Sequence, residues 1–363
     1  MITDFSLIDT QRDFTHFIEA IRTQSPNYIA LDTEFVRVST YWPTLALVQL
    51  AYGETRVAID PLAITLNPFQ EILENSSILK IIHASQQDLE IFLRVFGSLP
   101  SSVFDTQIAA QFCGFGDSIA YDALVQAYCQ VTLDKSSQFT NWKRRPLSKK
   151  QLRYAINDVR YLQAIYQQLV EALKEKKYYE WALEEMESLG DPNLYQQDLE
   201  TVWRRLKIIS HNGAFLARLQ AVSIVREKIA MQKNKPRSHI VKDELIIQLA
   251  QKNTVSLDKV MKLTTLDEEE SVLFLEALRE AAALSPEAYP SLPKMIKLSK
   301  LLKEKVQNLK SHLLKISQET GISASLIAKS RELEAFVRHP GKNYRFLKGW
   351  RYEIFGHHAL KEV

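Results

Sequence analysis

The stretch YIALDTEF is apolar until it meets two acids, a pattern that predicts a strand over residues 28–35. LALVQLAYG follows as a continuous apolar run of strand length. TRVAIDP, stopped by Pro61, reads as a short strand between turns. NPFQEILENS opens with Asn-Pro, a helix start with proline near its first position. LKIIHAS reads as a fourth strand. In QQDLEIFLRVFG the apolar residues Leu89, Phe92, Leu93 and Phe96 recur at helical spacing, and Gly97 closes the helix. VFDTQIAAQFCG is a short strand running into a helix. SKKQLRYAINDVRYLQAIYQQLVEALKEK is expected to form one long helix, capped by Ser148 and ended by a lysine-rich turn. Strands in succession, then strands alternating with helices, indicate an α/β fold: a mixed sheet with helices on its faces.

After about residue 190 the strand signal fades. LGDPNLYQQD brings Gly, Pro and Asn together and reads as a connector. From Trp203 onward the pattern is helical. WRRLKIIS, NGAFLARLQAVSIVREKIAMQKN and KDELIIQLAQKN are expected helices, separated by HNG and KPRSHIV, and SLDKVMKL and EEESVLFLEALREAAA continue the series. SPEAYPSLP carries three prolines and is a second linker. LSKLLKEKVQNLKSHLLKISQETG, SASLIAKSRELEAFVR and RFLKGWRYEIFG then build another small helical unit. The two helical segments suggest a diverged repeat without a strict period.

The 363 residues suit two or three domains, divided at 1–195, 203–285 and 295–363. The net charge of +3 hides an asymmetry. Residues 203–363 hold 29 Lys and Arg against 17 Asp and Glu, which leaves 17 and 26 in residues 1–202. An acidic half joined to a basic half fits a metal-dependent nuclease with appended nucleic-acid-binding modules, and it fits equally a drift of charge over solvated surfaces. The N-terminus, MITDFSLIDTQRDF, has early acids and no apolar core after a basic start, which argues against a secretory signal. No apolar run is long enough to span a bilayer, so no membrane partner is expected. Cys113 and Cys129 are the only cysteines and neither lies in a CxxC. That argues against a disulfide scaffold or zinc site and fits a cytoplasmic protein.

The candidate chemistry lies in three short stretches. Asp32 and Glu34 are two apart on the first strand, so both side chains point to one face. Two acids there repel and need a counterion, and their hard oxygens suit Mg²⁺ or Mn²⁺. A strand end emerging into solvent explains an isolated DxE as well. Tyr154 and Asp158 are four apart on a helix and share a face. A tyrosine so placed can hydrogen-bond an attacking water and aim it, or can be an ordinary buried tyrosine. Asp88 falls near a helix start, where a carboxylate commonly complements the dipole, and Asp105 in VFDTQIA reads as an N-cap.

Taken together, the order, spacing and flanks of these stretches resemble ribonuclease D, in the tyrosine-containing subclass of the DEDD exonuclease superfamily. LDTEF carries Asp32 and Glu34, HASQQDLE carries His83 and Asp88, and YAINDVRYL carries Tyr154 and Asp158; VFDTQIAA and LDKSSQFTNWKRRPLSKKQLRYA agree as well. The catalytic set shows no departure. The resemblance spans essentially the whole chain and is most specific over 28–165. It implies a ribonuclease H-like fold followed by two small all-α domains. It also implies a monomeric 3′→5′ exoribonuclease that releases nucleoside 5′-monophosphates from tRNA precursors and other small structured RNAs. Two divalent ions, Mg²⁺ or Mn²⁺, would be held by Asp32, Glu34 and Asp158 at the first position and by Asp32, with Asp88 assisting through water, at the second. Tyr154 would orient the nucleophile. His83 would touch the terminal nucleotide or be structural. Gln49 would lie near the 3′ end or be a buried amide bonded to backbone.

Residues 203–285 resemble the helicase-and-ribonuclease-D C-terminal (HRDC) domain, through WRRLK, LQAVSIVREKIAMQKNKPR and VKDELIIQLA. Independently of that likeness, Lys228, Lys233, Lys235 and Arg237 surround a helix end and turn where phosphates could meet them, or form a solvated face. A second such module is expected at 295–363, with Lys294, Lys297, Lys300, Lys303, Lys305 and Lys310 along one helical region. In RFLKGWRYEIFG, Phe346, Trp350, Tyr352 and Phe355 alternate with Arg345, Lys348 and Arg351. Such aromatics can stack bases, but the spacing favours a small domain's core. Two rival functions are a DNA-directed 3′–5′ exonuclease of the same superfamily and a non-catalytic RNA-binding protein. The intact acidic set argues against the second.

Overall fold

The computed structural model describes residues 4–252, 255–264, 266–292, 298–341 and 343–362. The chain divides into two compact units. One comprises residues 1–35, 45–195 and 297–363; the other comprises 36–44 and 196–296. Lys294 and Lys297 lie outside the described residues.

The first unit is built on a six-stranded sheet of order β1-β4-β3-β2-β5-β6. The strands are β1 Ser6–Ile8, β2 Tyr28–Val36, β3 Thr44–Tyr52, β4 Thr55–Ile59, β5 Leu79–Ile82 and β6 Val103–Asp105. β3 and β4 pair antiparallel, while β1–β4, β2–β5 and β5–β6 pair parallel, so the sheet is mixed as expected. β1 and the first helix, α1 Gln11–Gln24, are absent from the pattern reading. Yet α1 carries its signal openly: Thr10 caps it, and Phe14, Phe17, Ile18 and Ile21 recur on one buried face.

The helices α2 Asn67–Glu74, α3 Gln86–Phe96, α4 Thr106–Phe112 and α5 Tyr121–Cys129 follow. The expected single long helix is two, α6 Lys149–Arg160 and α7 Leu162–Glu175, and α8 Tyr179–Glu187 comes next. The break at Tyr161 has an identifiable cause. The Tyr121 hydroxyl donates to the Asn157 carbonyl at 2.9 Å and accepts the Tyr161 N–H at 3.3 Å. It therefore sits where the direct 161-to-157 ladder bond would run, and an inserted side chain bends a helix.

The second unit opens with a 3-10 stretch, Leu199–Arg205, which buries Trp203. Of WRRLKIIS only residues 203–205 are helical, as the end of this 3-10 stretch: Leu206 already has extended backbone at φ −80° and ψ 156°. α9 Gly213–Gln232, capped by Asn212, packs with α10 Arg237–Ile240, α11 Asp243–Gln251, α12 Leu257–Thr264 and α13 Glu268–Ala283. Residues 36–44 join this unit through Tyr41 and Trp42; the Trp42 N–H donates to Asn234 Oδ1 at 3.0 Å, and its indole N–H to the Met231 carbonyl at 3.2 Å.

The last segment belongs to the first unit. α14 Lys300–Thr320, α15 Ala324–Ile327 and α16 Ser330–Arg338 share a core with Phe112, Leu169 and Met186. Phe346, Trp350 and Phe355 are buried in that core, Trp350 stacks on Trp181 at 5.5 Å, and Arg345 and Arg351 both bond Glu185. Phe346, Trp350 and Phe355 are thus core, while Tyr352 is exposed. α15 and α16 each begin and end 87 residues after α10 and α11, so the two helical segments repeat one helix plan. Among the described residues no helix is long and apolar enough to cross a membrane.

Candidate active site

β2 alternates its side chains, so Ala30, Asp32 and Glu34 share one face. α6 lies over that face. The small Ala30 and Ala51 pack with Val159 and Leu162, which lets the helix approach closely. Asp158 beside Val159 is thereby lowered to the acids of β2. One carboxylate oxygen from each of Asp32, Glu34 and Asp158 lies within 4.8 Å of the other two. Asp88, in the first turn of α3, is buried and accepts the Thr33 hydroxyl. It stands outside that three-acid group but presses electrostatically on Asp32.

The electrostatics of this arrangement are unfavourable as they stand. Burial, then repulsion by Asp88, Asp158 and Glu34, pushes the Asp32 carboxyl well above the usual range. Glu34 is pushed up to about 9 by burial and then by Asp158 and Asp88. Burial raises Asp158 to about 7, opposed by its hydrogen bond from Tyr154 and by Lys135. Burial raises Asp88 to about 7, opposed by Thr33. A compact set of hard oxygen donors that repel one another is what a divalent cation relieves, so the residues present fit such an ion. Tyr154 is half-buried, with the Trp142 ring 6.0 Å from its own. Its phenol is raised by burial and then by Asp158, Glu34 and Asp32.

The residues assigned to substrate by sequence have protein partners of their own, except Gln49, which is buried. The His83 Nε2 lies 3.1 Å from the Ile119 carbonyl, which can only accept, so Nε2 carries the proton and Nδ1 accepts from the Thr106 hydroxyl at 2.9 Å. Both ring nitrogens are thus engaged within the protein. Gln49 is fully buried on β3, and its amide has neither a substrate-facing surface nor a backbone partner. Lys233 pairs with Glu270 at 2.7 Å, and Arg237 with the buried Glu227 at 3.1 Å, below which Tyr41 also bonds Glu227 at 2.5 Å. Both cations are ion-paired within their own unit.

Three residues outside the proposed catalytic set position the site. Thr33 holds Asp88, and Tyr121 holds the turn of α6 that carries Asp158. Asp105 caps α4 as expected, accepting the Gln107 N–H at 2.8 Å and the Ile108 N–H at 3.3 Å. It also accepts the Ser85 N–H and hydroxyl at 2.7 and 2.8 Å and the Ala84 N–H at 3.2 Å, which fixes the entry to α3. Asp105→Ala should lower stability by about 2–4 kcal/mol, the loss of a cap plus buried charge-assisted bonds. Urea unfolding measures it, and a cost below about 1 kcal/mol would show that these bonds are replaceable.

Comparison with known proteins identifies relatives over nearly the whole chain. Residues 5–174 match a family described as 3′–5′ exonuclease, and residues 215–284 match the HRDC domain. The ribonuclease D of Bartonella henselae is 39% identical over 344 residues, covering 93% of this chain and 85% of that protein. The ribonuclease D of Gluconacetobacter diazotrophicus is 36% identical over 361 residues, covering 98% and 91%. The crystal structure of Escherichia coli RNase D, an exoribonuclease involved in structured RNA processing, superposes with a TM-score of 0.83 at 31% identity, over 99% of this chain and 98% of that one. With such identity over nearly its full length, the chain belongs to the ribonuclease D family of 3′–5′ exoribonucleases.

Proposed function

We propose that the chain trims the 3′ ends of tRNA precursors and other small structured RNAs, using Asp32, Glu34, Asp88, Tyr154 and Asp158 as its catalytic set. The observation that carries the reading is the convergence of Asp32, Glu34 and Asp158 within 4.8 Å, with the Tyr154 hydroxyl on Asp158. Asp32, Glu34 and Asp158 would hold one divalent ion, and Asp32 with Asp88 a second, Mg²⁺ or Mn²⁺. Such a pair, when bound, offsets the carboxylates and supplies Lewis acidity to the attacking and leaving oxygens. Tyr154, protonated, hydrogen-bonds the incoming water and orients its lone pair toward phosphorus. Water adds to phosphorus, the bond to the 3′ oxygen breaks, and the products are a nucleoside 5′-monophosphate and a new 3′-hydroxyl.

The division into an exonuclease domain at 1–195 and helical modules at 203–285 and 295–363 is part of this proposal. It is supported by the HRDC match at 215–284 and by the repeated helix plan. The excess of Lys and Arg in residues 203–363 suits a grip on the RNA body. A monomer in the cytoplasm is the expected working state. The test is digestion of a 3′-extended tRNA, with products resolved nucleotide by nucleotide. A ladder shortening from the 3′ end, abolished by chelator and restored by Mg²⁺ or Mn²⁺, is expected. Chelator-resistant digestion would overturn the metal assignment, and equal digestion of a matched DNA would overturn the RNA preference.

A further inference from the structure

The segment between α5 and α6 contains an exposed aromatic that the catalytic set does not use. Phe139 is 94% exposed. A phenyl ring left in water forgoes the stabilisation that burial gives. The segment around it is anchored. Trp142 is buried beside Tyr154, and Ser137 is buried. Arg145 forks onto Asp60 at 2.5 and 2.7 Å and donates to the Ala46 carbonyl at 2.7 Å. The Gln151 amide donates to the Thr140 hydroxyl at 3.2 Å. A fixed support therefore presents the Phe139 ring to solvent.

Its surroundings point to one occupant. The neighbouring Gln138 and Lys135 line a cavity of about 140 Å³ together with Tyr154 and Asp158. Phe139 thus adjoins the carboxylate site. Lys143, Arg144, Lys149 and Arg153 are exposed around the same segment, and none has an acidic partner among the described residues. The first turn of α6 holds Lys149 and Lys150 and no acid, against the preference of a helix N-terminus. A field of unpaired cations, a projecting phenyl ring and a hydrolytic site in one place match the alternation of phosphate and base in a single strand.

We propose that the segment 134–153 is a substrate rim on which Phe139 stacks a base of the single-stranded RNA 3′ segment, while Lys143, Arg144, Lys149 and Arg153 meet its phosphates. The proposal rests on the exoribonuclease reading above. Stacking is indifferent to base identity, so the rim admits any sequence and selects for an unpaired strand.

Phe139→Ala and Phe139→Trp test it against a single-stranded oligoribonucleotide in Mg²⁺. Phe139→Ala should raise KM about tenfold, the loss of one stacked base, with the loss in KM rather than kcat. Phe139→Trp should restore KM, and the emission it adds to that of the parent should be quenched when RNA binds in chelator. Arg144→Ala and Lys149→Ala should each flatten the salt dependence of binding by about one phosphate. A KM for Phe139→Ala within twofold of the parent overturns the rim, as does an added emission in Phe139→Trp that saturating RNA leaves unmoved. So does sedimentation showing a parent dimer that Phe139→Ala dissociates, since the ring would then serve a contact between copies. A parent that leaves RNA intact overturns the rim together with the functional reading, whereas a working parent with an indifferent Phe139→Ala overturns the rim alone.

Discussion

Asp32→Asn is expected to reduce the hydrolysis rate by a factor on the order of 10³ or more, with RNA affinity close to the parent's. Asp32 is the acid on which the other three converge electrostatically. Asparagine keeps the volume of the side chain and removes the charge that a cation shared by Asp32, Glu34 and Asp158 requires. The same substitution should change stability in the opposite direction. A half-buried carboxylate raised by desolvation and like charges costs the fold stability at every pH above its ordinary carboxylate range. Removing it should therefore raise the melting temperature in chelator. It should also reduce the rise that Mg²⁺ or Mn²⁺ gives the parent, because a ligand stabilises only as far as it binds. Single-turnover digestion and thermal melts with and without the ions measure both. An Asp32→Asn protein that degrades RNA at the parent's rate would remove Asp32 from the site.

That site was legible in sequence to the extent that its geometry is local. Asp32 and Glu34 share a strand face by the period of two, and Tyr154 and Asp158 share a helix face by the period of 3.6. Asp105 as a cap and Phe346, Trp350 and Phe355 as core follow from equally short-range rules. The approach of α6 to β2 depends on Ala30 and Ala51, small residues whose importance appears only once the helix covers them. Lys233 and Arg237 looked available because a basic turn shows its charges in sequence and not their partners. Glu227 lies earlier on α9 and Glu270 lies on α13, so neither pairing is visible in the local pattern. His83 is the same case: Thr106 and Ile119, which occupy its two nitrogens, come from a different part of the chain.

Tyr121→Phe should lower kcat about 100-fold with KM near the parent's, although Tyr121 belongs to none of the motifs. The substitution removes one oxygen and keeps the ring that packs 5.6 Å from His83. That oxygen is the only bridge described between the Asn157 carbonyl and the Tyr161 N–H. Without it, two outcomes are open to the backbone. If the gap persists, the part-buried Asn157 carbonyl loses the hydroxyl at a cost of about 1–3 kcal/mol, while the Tyr161 N–H keeps the Val159 carbonyl. If the helix instead closes the direct bond, the break between α6 and α7 straightens and the turn carrying Asp158 rotates. In the second case Asp158, next in the chain to Asn157, shifts relative to Asp32 and Glu34. A displacement of about 1 Å at a reacting centre costs a factor of about 10². Kinetics of the variant give the magnitude, and its crystal structure distinguishes a persistent gap from a straightened helix. Unchanged kcat would mean that Ala30, Ala51 and Val159 hold Asp158 in place by packing alone, and that the hydroxyl only satisfies the backbone.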